Sequence, residues 1–95
     1  MSNDNETGPE VILRVKGSSS ASALAAAISH GCYDSKNVVL RAIGAGAVNQ
    51  GIKAIAIANS YVGARGLTLS CRPAFTDVMM PDGKVTAMLL KIIVN

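Results

Sequence analysis

The sequence predicts an α/β chain of the α+β two-layer type: a four-stranded mixed sheet with two helices on one face. Three observations carry that reading. Val11–Lys16 and Leu67–Phe75 alternate apolar and polar residues, the period of a half-buried strand. Two alanine-rich segments of helical length fall between the strand-like runs. Met80-Pro81-Asp82-Gly83-Lys84 has the Pro-Asp-Gly core of a hairpin turn. The order is β-α-β-α-β-β, and two helices cannot cover both faces of four strands, so one face is left open.

Each element has a local cause. Residues 1–9 are polar, with Asn, Asp, Glu, Gly and Pro, and are expected to form a disordered leader before a single domain of residues 10–95. In the first strand Val11, Leu13 and Val15 share one face, and Ile12, Arg14 and Lys16 the other. Gly17 and Ser18–Ser20 stop it and offer a hydroxyl to cap the helix Ala21–His30, whose Leu24, Ala27 and Ile28 make an apolar stripe. Gly31 is expected just past the end of that helix. Val38–Ile43 is short and β-branched, a second strand. Gly44–Gly46 then turns the chain into a helix at Ala47–Val62, which Gly63 and Gly66 end. In the third strand Leu67, Leu69, Cys71 and Phe75 share one face, and Pro73 marks an edge or bulge. Val85–Val94 is the last strand.

Composition bounds the function. Only 3% of the 95 residues are aromatic against 49% apolar, so the core is aliphatic. All nine Lys and Arg follow residue 10, whereas three of the six acids are Asp4, Glu6 and Glu10. Residues 11–95 thus hold nine cations and three acids, a net charge of +6. That balance suits a polyanionic partner, and it also suits plain solubility. Cys32, Cys71 and His30 are too few and too scattered for a disulfide framework or a metal site. No residue set supports a reaction: His30 and Cys32 need not face one another at a helix end, and Asp77 and Asp82 flank a turn, so a non-enzyme is expected. No apolar run nears the ~18 residues of a membrane span and no signal peptide is visible, which points to the cytoplasm.

The segment from Ala42 to Ala58 is the most informative. Gly44, Gly46 and Gly51 are spaced GxGxxxxG rather than GxGxxG, and no acidic residue follows ~20 positions on, so no nucleotide cofactor is expected. A turn that needs positive φ explains the glycines, and backbone N–H groups holding a nucleic-acid phosphate remain a second use for them. The helix after them is apolar beyond the ~100° arc that one sheet requires. Its surplus predicts a second contact surface, the same helix of another subunit, with Gly51, Ala54 and Ala58 allowing close approach. On the open sheet face Arg14, Arg41, Arg72 and Lys91 stand among Ile12, Val39, Ile43, Leu89 and Ile93 without stacking aromatics. A solvated face whose aliphatics meet another subunit is the expectation there.

The run Ala42-Ile43-Gly44-Ala45-Gly46-Ala47-Val48-Asn49-Gln50-Gly51-Ile52-Lys53-Ala54 with Ala56-Ile57-Ala58, and Pro73-Ala74-Phe75-Thr76-Asp77, resembles the stage V sporulation protein S family over residues 11–95. That family is similar in fold to the Alba nucleic-acid-binding proteins. The resemblance implies an Alba-like fold, a homodimer or higher oligomer, DNA or RNA binding, and a role in sporulation or developmental regulation. The glycine loop departs from the Alba pattern at Ala45 and Ala47, where basic residues are usual, which implies fewer phosphate contacts. The residues expected to bind nucleic acid are Lys16, Ser18, Arg41, Gly44, Gly46, Asn49 and Lys53, with Arg65 peripheral. The alternative is a protein–protein assembly or regulatory module with no nucleic-acid ligand.

Overall fold

The computed structural model describes residues 9–95. The expected leader lies outside the described residues except for Pro9, whose carbonyl accepts the Asn37 N–H at 2.8 Å. The elements are β1 (Glu10–Val15), α1 (Ala21–Tyr33), β2 (Asn37–Ala42), α2 (Ala45–Gly63), β3 (Leu69–Met80) and β4 (Gly83–Val94). The sheet order is β1-β2-β4-β3, with β1 parallel to β2 and the other neighbours antiparallel, so the sheet is mixed as expected. β2 is central, and its Val38, Val39 and Leu40 are all buried, which is why this strand reads as a continuous apolar run.

The core lies between the helices and one sheet face. Val15, Val38, Leu40, Leu69 and Leu90 meet Ala25, Ile28, Ala47, Ala54, Ile55, Ala58 and Val62. Small residues set the spacing. A Cβ on Gly51 would lie 3.1 Å from Leu90 Cδ1 and 3.5 Å from Leu40 Cδ1. A Cβ on Gly31 would lie 2.5 Å from Val38 Cγ2. Asn59 fastens α2 to the start of β3: its Oδ1 accepts the Leu69 N–H at 2.7 Å and its Nδ2 donates to the Leu69 carbonyl at 3.0 Å.

Four expectations are corrected. Gly31 does not end α1. It is buried inside the helix, and the ending is made by Ser35, at φ 59, with Ser35 N–H on the Cys32 carbonyl and Lys36 N–H on the Gly31 carbonyl. Ala27 is exposed, and the buried stripe of α1 runs through Ala25, Ile28 and Ser29. Gly51 faces the sheet, and Ala54 and Ala58 are fully buried in the protein's own core, so none of the three is open to a second subunit. Phe75 does sit on the same side of β3 as Leu69 and Cys71, but it is 77% exposed. The reason is length. β3 runs on to Met80, whereas β2 pairs with β4 only from Met88 to Lys91, so the rest of the hairpin projects beyond the helices. Pro73 is tolerated because β3 is an edge strand.

Part of the surplus apolar surface of α2 is covered by α1, which lies parallel to it. Gly17 and Gly46 approach at one end, where a Cβ on Gly46 would be 3.7 Å from Gly17 Cα. At the other end the Tyr33 hydroxyl donates to the Tyr61 carbonyl at 3.4 Å. The side of α2 left exposed carries Asn49, Ile52, Lys53, Ala56 and Ser60.

Two stability measurements follow. Gly31→Ala gains about 1 kcal/mol of helix propensity and loses about 1–3 kcal/mol to overpacking against Val38, so it should destabilise on balance. In a double-mutant cycle with Val38→Ala, urea unfolding should return a coupling of at least about 0.5 kcal/mol, the double variant being less harmed than the sum. Ser35→Gly should raise the unfolding free energy by about 1 kcal/mol, since it removes the penalty of a left-handed residue with a Cβ.

Candidate nucleic-acid interface

The two strand-to-helix loops meet at one end of the sandwich because β1 and β2 are parallel and both lead into helices that lie side by side. Residues 16–19 form a tight turn: Lys16 N–H donates to Ser19 Oγ at 2.8 Å, and Ser19 N–H returns to the Lys16 carbonyl at 3.0 Å. Ser20 caps α1 and accepts from Ala23 N–H at 3.2 Å. Gln50, from α2, donates to the Ser19 carbonyl at 2.8 Å and so ties the first loop to the second helix. Ser19 and Gln50 stand outside the expected binding residues. Their signal is a contact across 31 residues, which no local pattern carries.

The N-terminus of α2 differs from that of α1. Gly44 is its N-cap at φ 92, a backbone region that suits glycine, and no side chain caps the helix. No acidic residue stands in its first turn. Its leading N–H groups therefore have no side-chain acceptor and carry the positive end of the helix dipole outward.

The expected site residues fall into two groups. Lys16, Ser18, Gly44 and Gly46 are all exposed at the joined loops, and Arg41 lines one groove with Lys16 and Gly17 on the open-face side. Asn49 and Lys53 lie one turn apart on the outer side of the helix layer. Arg65 is elsewhere. Its guanidinium stacks 3.7 Å from the Tyr33 ring centroid at the far end of the helices. Arg14 joins the first group: it is the Cα partner of Arg41 across β1 and β2 and lines the same groove as Lys16.

The remaining chemistry is sparse. His30 is exposed in the last turn of α1. Burial pushes the half-buried Cys32 thiol up, which favours the neutral thiol and works against its use as a nucleophile. Among the described residues no three of His, Cys, Asp and Glu gather as a metal site, and no helix is long and apolar enough to cross a membrane.

Comparison with known proteins places this geometry. The family model of stage V sporulation protein S matches residues 11–95. Among solved structures, Alba from Thermoplasma volcanium superposes with a TM-score of 0.58 at 11% sequence identity, covering 90% of this chain and 99% of that chain. At that identity the likeness is one of fold, and the β-α-β-α-β-β sandwich described above is Alba-like. With the family match spanning β1 to the end of β4, the chain belongs to the stage V sporulation protein S family.

Proposed function

We propose that this chain is a homodimeric regulator that binds DNA or RNA mainly through backbone phosphates, acting in the bacterial cytoplasm in sporulation or developmental control. The observation that carries the reading is the joined-loop end. There Lys16 and Arg41 flank two strand-to-helix turns, and the α2 N-terminus has no side-chain cap. Among the described residues neither cation has an ion pair, the single one being Lys84 to Asp77 at 3.7 Å. Phosphate contacts of this kind are worth most at low salt and carry no sequence preference. Ser18, Gly44, Gly46 and Asn49 add hydrogen-bond donors or close backbone approach, and Lys53 extends the positive surface along α2. The dimer contact moves, relative to the sequence expectation, to the outer side of α2, where Ile52 is 47% exposed and Ala56 and Ser60 lie beside it.

A second reading, a protein–protein assembly module without a nucleic-acid ligand, is favoured by the hairpin. Phe75 and Met79 are 77% and 76% exposed there, large apolar side chains that a protein partner would cover.

Titration of the full chain with duplex and single-stranded oligonucleotides should give binding that weakens linearly in log[salt]. Lys16→Ala and Lys53→Ala should each reduce that slope by about 1. Absence of binding at low salt, together with higher oligomers in light scattering, would establish the assembly module instead. Light scattering should also give a dimer mass that falls to the monomer in Ile52→Asp, and a monomeric native protein would overturn the α2 contact.

A further inference from the structure

The open sheet face holds two pairs of like charges side by side. Arg14 and Arg41 are Cα partners across β1 and β2, and Arg72 and Lys91 across β3 and β4. Like charges directly opposite one another destabilise a sheet unless something negative offsets them. The two pairs are treated differently. Arg72 and Lys91 share their cleft with Glu10, and that cleft has room for little more than a water, about 30 Å³. Among the described residues no acid lines the groove of the Arg14–Arg41 pair. The pair lines this groove of about 480 Å³ with Val15, Lys16, Gly17, Ile43 and Met80. That volume lies within the roughly 300–1,000 Å³ of small-molecule sites.

The groove is assembled from three parts of the chain. β1 supplies Arg14, and Lys16 follows at its end. β2 supplies Arg41, and Ile43 follows it. The tip of the β3–β4 hairpin supplies Met80, which requires the ribbon to curl back over the sheet, as strongly twisted two-stranded ribbons do. Ile43 and Met80 are 41% and 44% exposed, so apolar side chains of the same lining face solvent along with the cations. Among the described residues none of Arg14, Lys16 and Arg41 has an ion pair or a side-chain hydrogen bond.

We infer that this groove binds a nucleoside monophosphate, its phosphate held by Arg14, Lys16 and Arg41 and its base lying against Met80 and Ile43. A phosphomonoester carries a charge near −2 and three acceptor oxygens, which matches three cations better than a carboxylate does. Guanidinium forks bind such oxygens in pairs. A flat ring suits the thioether of Met80, which makes favourable contacts with aromatic systems. The ligand sits on the sheet face, beside the joined loops and away from Asn49 and Lys53. The site shares Arg14, Lys16 and Arg41 with the joined-loop surface, and Ile43 and Met80 belong to it alone.

The test is calorimetric titration of the full chain at low salt with AMP, adenosine and inorganic phosphate, alongside amide chemical-shift mapping with AMP. AMP should bind and adenosine should not, and inorganic phosphate should bind about tenfold or more weakly than AMP because it leaves the apolar side chains unused. Shifts should centre on residues 14–17, 41–43 and 80. Arg14→Gln should lower AMP affinity by about tenfold. Met80→Ser should weaken AMP severalfold and leave inorganic phosphate unchanged, and Lys36→Ala, an exposed lysine between α1 and β2, should leave AMP unchanged. Three results would overturn the inference: no AMP binding at millimolar concentration, equal affinity for AMP and phosphate, or shifts confined to other residues. The two arms separate the readings. Oligonucleotide binding without AMP binding removes this site and spares the loop surface, and AMP binding without oligonucleotide binding does the reverse.

Discussion

The close seating of two helices on an aliphatic sheet is the constraint on which the rest of this protein depends. The chain has one Phe, two Tyr and no Trp, and none of them is among the fully buried side chains, so aliphatic residues set the separation of the layers. The contact positions are Gly31 against Val38, Gly51 against Leu40 and Leu90, and Ala25, Ala54 and Ala58 in full burial. A thin core of this kind gains its stability from dispersion at short range, so each added methylene is felt. It also holds the helices parallel and near enough for Gly17 to touch Gly46, which is what brings the two strand-to-helix loops into one surface.

The same economy leaves much of the sheet uncovered. Two helices reach the first part of β3 and no further, so the hairpin carries Phe75 and Met79 into solvent and turns Met80 back toward the open face. The cations on that face are then free to act. The Arg14–Arg41 pair is costly by itself, and among the described residues its groove is lined by Ile43 and Met80 rather than by an acid. The two candidate surfaces therefore arise from one architectural fact, a sheet covered on one side, and they meet at Arg14, Lys16 and Arg41.

Membership of the stage V sporulation protein S family and an Alba-like fold set this geometry among small regulators related to sporulation. The departures at Ala45 and Ala47 acquire a structural meaning here. Ala47 is buried beneath the first turn of α2 and packs in the core, so a long basic side chain there would disturb the seating of the helix. Ala45 is exposed, and its small size leaves the N–H groups at the start of α2 uncovered. The loop thus offers backbone donors where side-chain cations would otherwise stand.

Much was legible in the sequence. Alternation identified β1 and its two faces, the Pro-Asp-Gly core located the hairpin turn, and the serine cluster announced the cap that Ser20 supplies, because each depends on neighbours within a few residues. Where such signals failed, a distant contact had won. Gly31 looked like a helix end because glycine commonly is one, yet Val38 needed the space its missing side chain leaves, and Ser35 took the left-handed turn instead. Phe75 kept its place in the alternation, but periodicity says which residues share a face and is silent on whether anything covers it. The sequence by itself determined the elements, their order and the excess of positive charge, all properties of local spacing and composition. Only the tertiary structure decided which small residues lie between layers, and that Arg14, Lys16, Arg41 and Met80 border one groove, because those relations depend on sheet order, strand length and twist.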